Sequence, residues 1–164
     1  MKVYHTSSVI VESPDTMHSR SFLDFGSGFY VTTLEKQAID YAQRFIIRGR
    51  NAYINIYEMC DELCDLKVLS FDSYNEEWLE FIAASRHGMT PWEGYDLIEG
   101  GVANDKVVDA VEAYLSGLAD VKHTLNKLAY AFPNNQICLL NQQLIDTCLS
   151  FVDCYPVIRE GGTE

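Results

Sequence analysis

The chain has 164 residues, 48% of them apolar, with a net charge of -12 and a pI near 4.6. That length supports one compact core and leaves little room for a second. The acidic balance repels a phosphate backbone over most of the surface, which argues against nucleic acid as a partner. No apolar run approaches the ~20 residues of a membrane span and no signal-peptide pattern opens the chain, so a cytoplasmic protein with no membrane association is expected.

In chain order, KVYHTSS reads as a short strand, and Pro14 with Asp15 turns the chain after it. DFGSGFYVTT is a strand feeding the helix LEKQAIDYAQRF, where Ala38, Tyr41, Ala42 and Phe45 recur at helical spacing behind a Thr32 to Glu35 capping box. Two glycines beside two aromatic rings imply a bend in the backbone, since an ordinary turn needs only one. AYINIYEM and LKVLSF follow as strands. SYNEEWLEFIAASR is then a helix with a Ser73 to Glu76 capping box and an apolar face of Trp78, Phe81, Ile82 and Ser85.

YDLIEGGVA is a buried strand interrupted by Gly100 and Gly101, the mark of a bulge or of a close approach to the backbone. DKVVDAVEAYLSG and VKHTLNKLAYAF are helices, with Val108, Val111 and Leu115 on one face of the first and Val121, Leu125, Leu128 and Phe132 on one face of the second. Pro133, Asn134 and Asn135 stop the latter. QICLL is a short strand, NQQLIDTCLSF a short helix from Asn141, FVDCYPVI a closing strand, and residues 159–164 a frayed tail. Strands and helices do not alternate regularly, so one α+β domain over residues 1–158 is expected in place of a doubly wound sheet.

The five cysteines are odd in number, scattered and set mostly in apolar segments, the pattern of reduced cytosolic thiols. Cys60 and Cys64, four apart, lack a second ligand pair, so no metal site is assigned. There is no P-loop, nucleophile elbow or zinc-protease helix. Taken singly, His5 and Tyr30 read as structural groups, Asn104 and Asp105 as helix caps, and Arg44, Arg48 and Arg50 as cations complementing a helix C-terminus. Gln136 opens a strand and faces either way.

VYHTS, DFGSGFYVTT with QAIDYA, GVAND and NNQICL, in that order, resemble an uncharacterised bacterial family grouped with the ADP-ribosyltransferase superfamily. The resemblance covers roughly residues 2 to 150 and implies a split β-sheet core with flanking helices that grips NAD as substrate. On it, His5 is the first-strand histidine that bonds the ribose and the nicotinamide side of NAD, and Tyr30 stacks on the flat nicotinamide ring. Thr6, Gly28 and Phe29 line the cofactor. Gln136 stands where the superfamily's glutamate would steady the positive charge that develops on the ribose.

A glutamine accepts the same hydroxyl hydrogen bond but brings no charge, and charge-assisted bonds are roughly twice as strong. Asp24, Asn104 and Asp105 are therefore auxiliary candidates. The implied function is transfer of ADP-ribose to a protein or small-molecule acceptor, with NAD hydrolysis as a variant and an antitoxin-like protein partner as a further implication. The alternative is a catalytically weak or inactive module of the same fold that acts by binding protein.

Overall fold

The computed structural model describes residues 1–20, 23–63, 65–103, 105–128 and 134–158, leaving aside the side chains of Asp105 and Lys106. Strands β1 (Lys2–Ser7), β3 (Tyr53–Met59) and β7 (Leu149–Pro156) form one sheet in the order β1-β3-β7. Strands β2 (Phe29–Val31), β4 (Val68–Ser70), β5 (Leu97–Gly100) and β6 (Gln136–Leu139) form the other, in the order β2-β6-β5-β4. Every named pairing is antiparallel except β4 with β5. With helices α1 (Glu35–Ile47), α2 (Glu76–Arg86), α3 (Asp105–Leu115), α4 (Val121–Leu128) and α5 (Gln142–Cys148), the protein is α+β.

Period-2 alternation decides which way each strand faces. Val3, Tyr57 and Met59 of the first sheet share one buried cluster with Phe29, Val31, Leu97, Ile137 and Leu139 of the second, so the two sheets enclose a common core. The opposite face of the first sheet is covered by α1, whose Ala38 and Ala42 lie against Ile54 with Tyr4 and Ile56 alongside. Alanine four residues apart lets that helix approach closely. The opposite face of the second sheet presents Ile98 and Cys138 to Trp78, Leu79 and Ile82 of α2, Val111 of α3 and Leu128 of α4. Each large side chain so buried contributes about 1.5–3 kcal/mol.

Several local expectations are corrected. The α1 N-terminus has no capping box: Thr32 Oγ1 accepts from Leu34 N at 3.1 Å and donates to Asn135 Oδ1, while Glu35 accepts from the Tyr155 hydroxyl. Tyr41 is exposed beneath Arg44 and not part of the buried face. In α2 the cap is Asn75, whose side chain accepts from Trp78 N at 2.8 Å, and not Ser73. Helix α3 buries Val107, Ala110 and Val111, leaving Val108 half-buried, and α4 buries Thr124 with Leu128 in place of Val121. Phe132, Pro133 and the tail from 159 lie outside the described residues.

The reduced-thiol reading fails for two cysteines. Cys60, just past β3, and Cys148, at the end of α5, form a disulfide with Cα atoms 5.0 Å apart across a sequence separation of 88, well within bridging geometry. Cys60 N also donates to Cys148 O. The spacing in sequence conceals this pair because only the sheet brings the segments together. Cys138 and Cys154 are free, and Cys64 lies outside the described residues.

A buried polar clamp, unforeseen in the sequence, ties down the loop after β1. Asn55 on β3 is fully buried, accepts from Val11 N at 2.8 Å, and donates to the carbonyls of His5 and Val9. Tyr57 donates its hydroxyl to Val11 O. Each of these bonds satisfies a group that burial would otherwise penalise by about 1–3 kcal/mol.

Candidate functional site

The two sheets meet at β1 and β2, and there the ladder is a single rung. Tyr4 and Thr32 exchange both main-chain hydrogen bonds, at 2.8 and 2.9 Å, and no further rung joins the strands among the described residues. Met59 N donates to Met1 O and Met1 N to Met59 O, so the odd residues of β1 turn their main chain to β3 and the even ones to β2. Thr6 N–H and C=O consequently face β2, opposite Tyr30, where a continuous sheet would have its next rung. The imidazole of His5 takes over that position. Its Nδ1 lies 2.7 Å from Tyr30 O.

A carbonyl only accepts, so Nδ1 carries the proton and the neutral ring keeps Nε2 as an acceptor. The ring stacks on Phe29, 4.4 Å between centroids at 29°. Burial lowers the His5 pKa from 6.5, with the Tyr30 carbonyl opposing in part. A neutral native histidine that charges on unfolding makes the unfolded state bind more protons, so stability is full above 6.5 and is lost as pH falls from there through the native pKa. His5→Gln therefore flattens the acid limb of a stability-versus-pH curve from urea unfolding. An unchanged limb would assign it to other groups.

Tyr30 projects to the face opposite Phe29 and pairs with Cys138 across β6. Its hydroxyl donates to Gly26 O at 2.7 Å and accepts from Phe25 N at 3.1 Å. Burial pushes that hydroxyl far above the ordinary phenol range, with Cys138 adding to it, so it stays a neutral donor. Burial likewise pushes the Cys138 thiol up to about 12, which leaves it inert. The two glycines of DFGSGFYVTT now have separate reasons. Gly26 has φ 95° and lies where a Cβ would strike the Trp92 ring at 2.3 Å; at Gly28 a Cβ would meet Leu139 O at 2.5 Å.

Gln136 shares the face of Tyr30. Its Nε2 lies 3.2 Å from Asp24 Oδ2 and 3.3 Å from Gly101 O. Asp24 pairs with Arg86, whose Nη2 is 3.0 Å and Nε 3.3 Å from Oδ1, and Oδ2 also accepts from Ala103 N. Gly101 O receives Trp78 Nε1 at 3.1 Å. Above this, Asn134 accepts from Val102 N and bonds the Tyr74 hydroxyl. The Asn135 side chain accepts from Thr32 Oγ1 and Thr33 N and donates to Thr33 Oγ1, while its main-chain N–H donates to Gln37 Oε1 and its C=O accepts from Gln37 Nε2.

The expected residues thus fall into two groups on opposite faces of β2. His5 and Phe29 lie on the inner face, while Tyr30, Gln136 and Asp24 lie on the outer; the His5–Tyr30 bond runs through main chain. The Thr6 hydroxyl is used on Ala38 O, so only its main chain addresses the split. Asp105 opens α3, and Asn104 lies outside the described residues. Sequence reasoning missed Arg86, Tyr74, Trp78, Asn134 and Asn135 as parts of the site. The adjacent polar pair Asn134 and Asn135 ahead of a buried strand was the available signal. An open groove of about 420 Å³ lies elsewhere, beside the Cys60–Cys148 disulfide, and includes none of the site residues named from the sequence.

A family model described as Protein of unknown function (DUF3990) matches residues 1–151. The chain belongs to that family. Its match spans every element from β1 to the start of β7, including the split and the Asp24, Arg86 and Gln136 network. No curated protein and no solved structure matches the chain. Among the described residues of this DUF3990 member, no group of three His, Cys, Asp or Glu could hold a metal ion, and no helix is long and apolar enough to cross a membrane.

Proposed function

We propose that this DUF3990 member binds NAD at the split between β1 and β2 and transfers its ADP-ribose to a protein or small-molecule acceptor. The observation that carries the reading is the missing rung opposite Tyr30. There, the Thr6 main chain offers a donor and an acceptor side by side, the pair that a nicotinamide carboxamide requires. His5, with Nδ1 committed to Tyr30 O, has Nε2 to accept from a ribose hydroxyl. Tyr30 is held by two hydrogen bonds through its hydroxyl, so stacking a flat ring on it would cost little ordering. The split-sheet arrangement of the ADP-ribosyltransferase superfamily, cytoplasmic placement and an antitoxin-like partner belong to the same proposal.

One observation favours a second reading, a module that binds NAD or protein without turnover. Asp24, the carboxylate bonded to Gln136 among the described residues, already takes four donors and is not free to steady charge on the ribose. Labelled NAD decides between them. Incubated with the protein and a cell lysate, the parent is expected to release nicotinamide or label an acceptor, and His5→Ala and Tyr30→Ala, checked for folding, to lose about tenfold or more. Binding by calorimetry without turnover selects the module. The absence of both binding and turnover refutes the NAD reading.

A further inference from the structure

We propose that Asp24, pinned by Arg86, is a positioning residue that fixes Gln136 as an amide, and that this place in the chain is built for glutamine and not for glutamate. The Asp24 and Arg86 side chains are only 13% and 22% exposed, so their pairing is shielded from solvent. Among the described residues the amide nitrogen of Gln136 meets two acceptors, Asp24 Oδ2 at 3.2 Å and Gly101 O at 3.3 Å. A side chain that must donate here has to carry an N–H or O–H, and an ionised carboxylate carries neither. Because Nε2 is bound at both acceptors, Oε1 is turned away from them as the acceptor left for a ligand hydroxyl.

A carboxylate at the same position would set an anionic oxygen against the anionic Asp24 and against a carbonyl, with no proton between them. The like charges raise the cost, and Gly101 O keeps only its bond from Trp78 Nε1. The glutamine therefore belongs to a network that includes Asp24, Arg86, Gly101, Ala103 and Trp78, and is not a glutamate that has merely lost its charge. The ligand end of the inference, a ribose hydroxyl on Oε1, rests on the NAD reading above. Its structural core does not.

Thermal unfolding near neutral pH compares the parent, Gln136→Glu, and Gln136→Glu combined with Asp24→Asn. The single substitution is expected to lower Tm by about 4 °C or more. The double returns at least half of that loss, because the contact between two carboxylates is gone. A single variant as stable as the parent, or a double no better than the single, overturns the proposal. Nuclear magnetic resonance of the parent provides the second readout. The Gln136 side-chain amide protons, identified by their absence in Gln136→Glu, are expected to be protected from exchange and to lose that protection in Asp24→Asn; protons exchanging as in a free glutamine overturn it. Both measurements are made without NAD, so their failure and that of the NAD reading are separate outcomes.

Discussion

Opening the Cys60–Cys148 disulfide lowers the unfolding free energy by about 4–5 kcal/mol, because the released loop spans 88 residues and the unfolded chain regains the entropy of closing it. Against a total of about 5–15 kcal/mol for a domain, the loss is a large part of the stability. The bridge ties the end of β3 to the end of α5, and α5 and β7 follow directly from the strand that carries Gln136. Urea unfolding with and without reductant, and of Cys60→Ser with Cys148→Ser, measures the effect. Alkylation mass should rise by two groups on reduction. Equal midpoints for oxidised and reduced protein would contradict the loop-entropy account.

Trp78→Ala is expected to cost about 3–5 kcal/mol, since the side chain is fully buried and leaves a cavity under the loop that begins at Gly101. The indole also does something a hydrocarbon cannot. Its Nε1 donates to Gly101 O, and its ring meets Tyr74 edge-on, 4.7 Å between centroids at 71°. Trp78→Phe keeps an aromatic body and removes the donor, so about 1–2 kcal/mol is expected for it. Chemical denaturation of both variants separates packing from hydrogen bonding. If phenylalanine cost as much as alanine, the bond to Gly101 would outweigh the cavity.

The helix that carries Trp78 shows where the sequence was legible and where it was not. The helical face through Trp78, Phe81, Ile82 and Ser85 is legible from spacing alone, because a 3.6-residue period survives whatever the helix packs on, although the buried Leu79 falls outside that reading and Phe81 is only partly buried. The caps could not. Asn75 and Ser73 both satisfy a propensity rule, and which side chain reaches the free N–H depends on backbone angles just before the helix. Position 108 was assigned to a buried face that in fact centres on Val107, Ala110 and Val111, because the direction of approach of the sheet sets the stripe.

The same division holds at the site. His5, Tyr30 and Gln136 are legible through a resemblance of ordered segments, whereas Arg86 carries no local signature and Asn135 only the polar pair it forms with Asn134. Arg86 sits 62 residues from Asp24, and Asn135 lies 102 from Thr33. Such long-range partners are fixed by geometry that no window of sequence contains.

By itself the sequence determined the α+β class, the order of the elements and the acidic surface, since each follows from local periodicity or from composition. Only the tertiary structure decided that β1 and β2 share a single rung, that His5 bonds the carbonyl facing the gap, that two distant cysteines pair, and that Gln136 is held by its nitrogen. Each of these is a meeting of segments far apart in the chain, and hydrogen bonds and bridges of that kind depend on where the sheets bring their edges together.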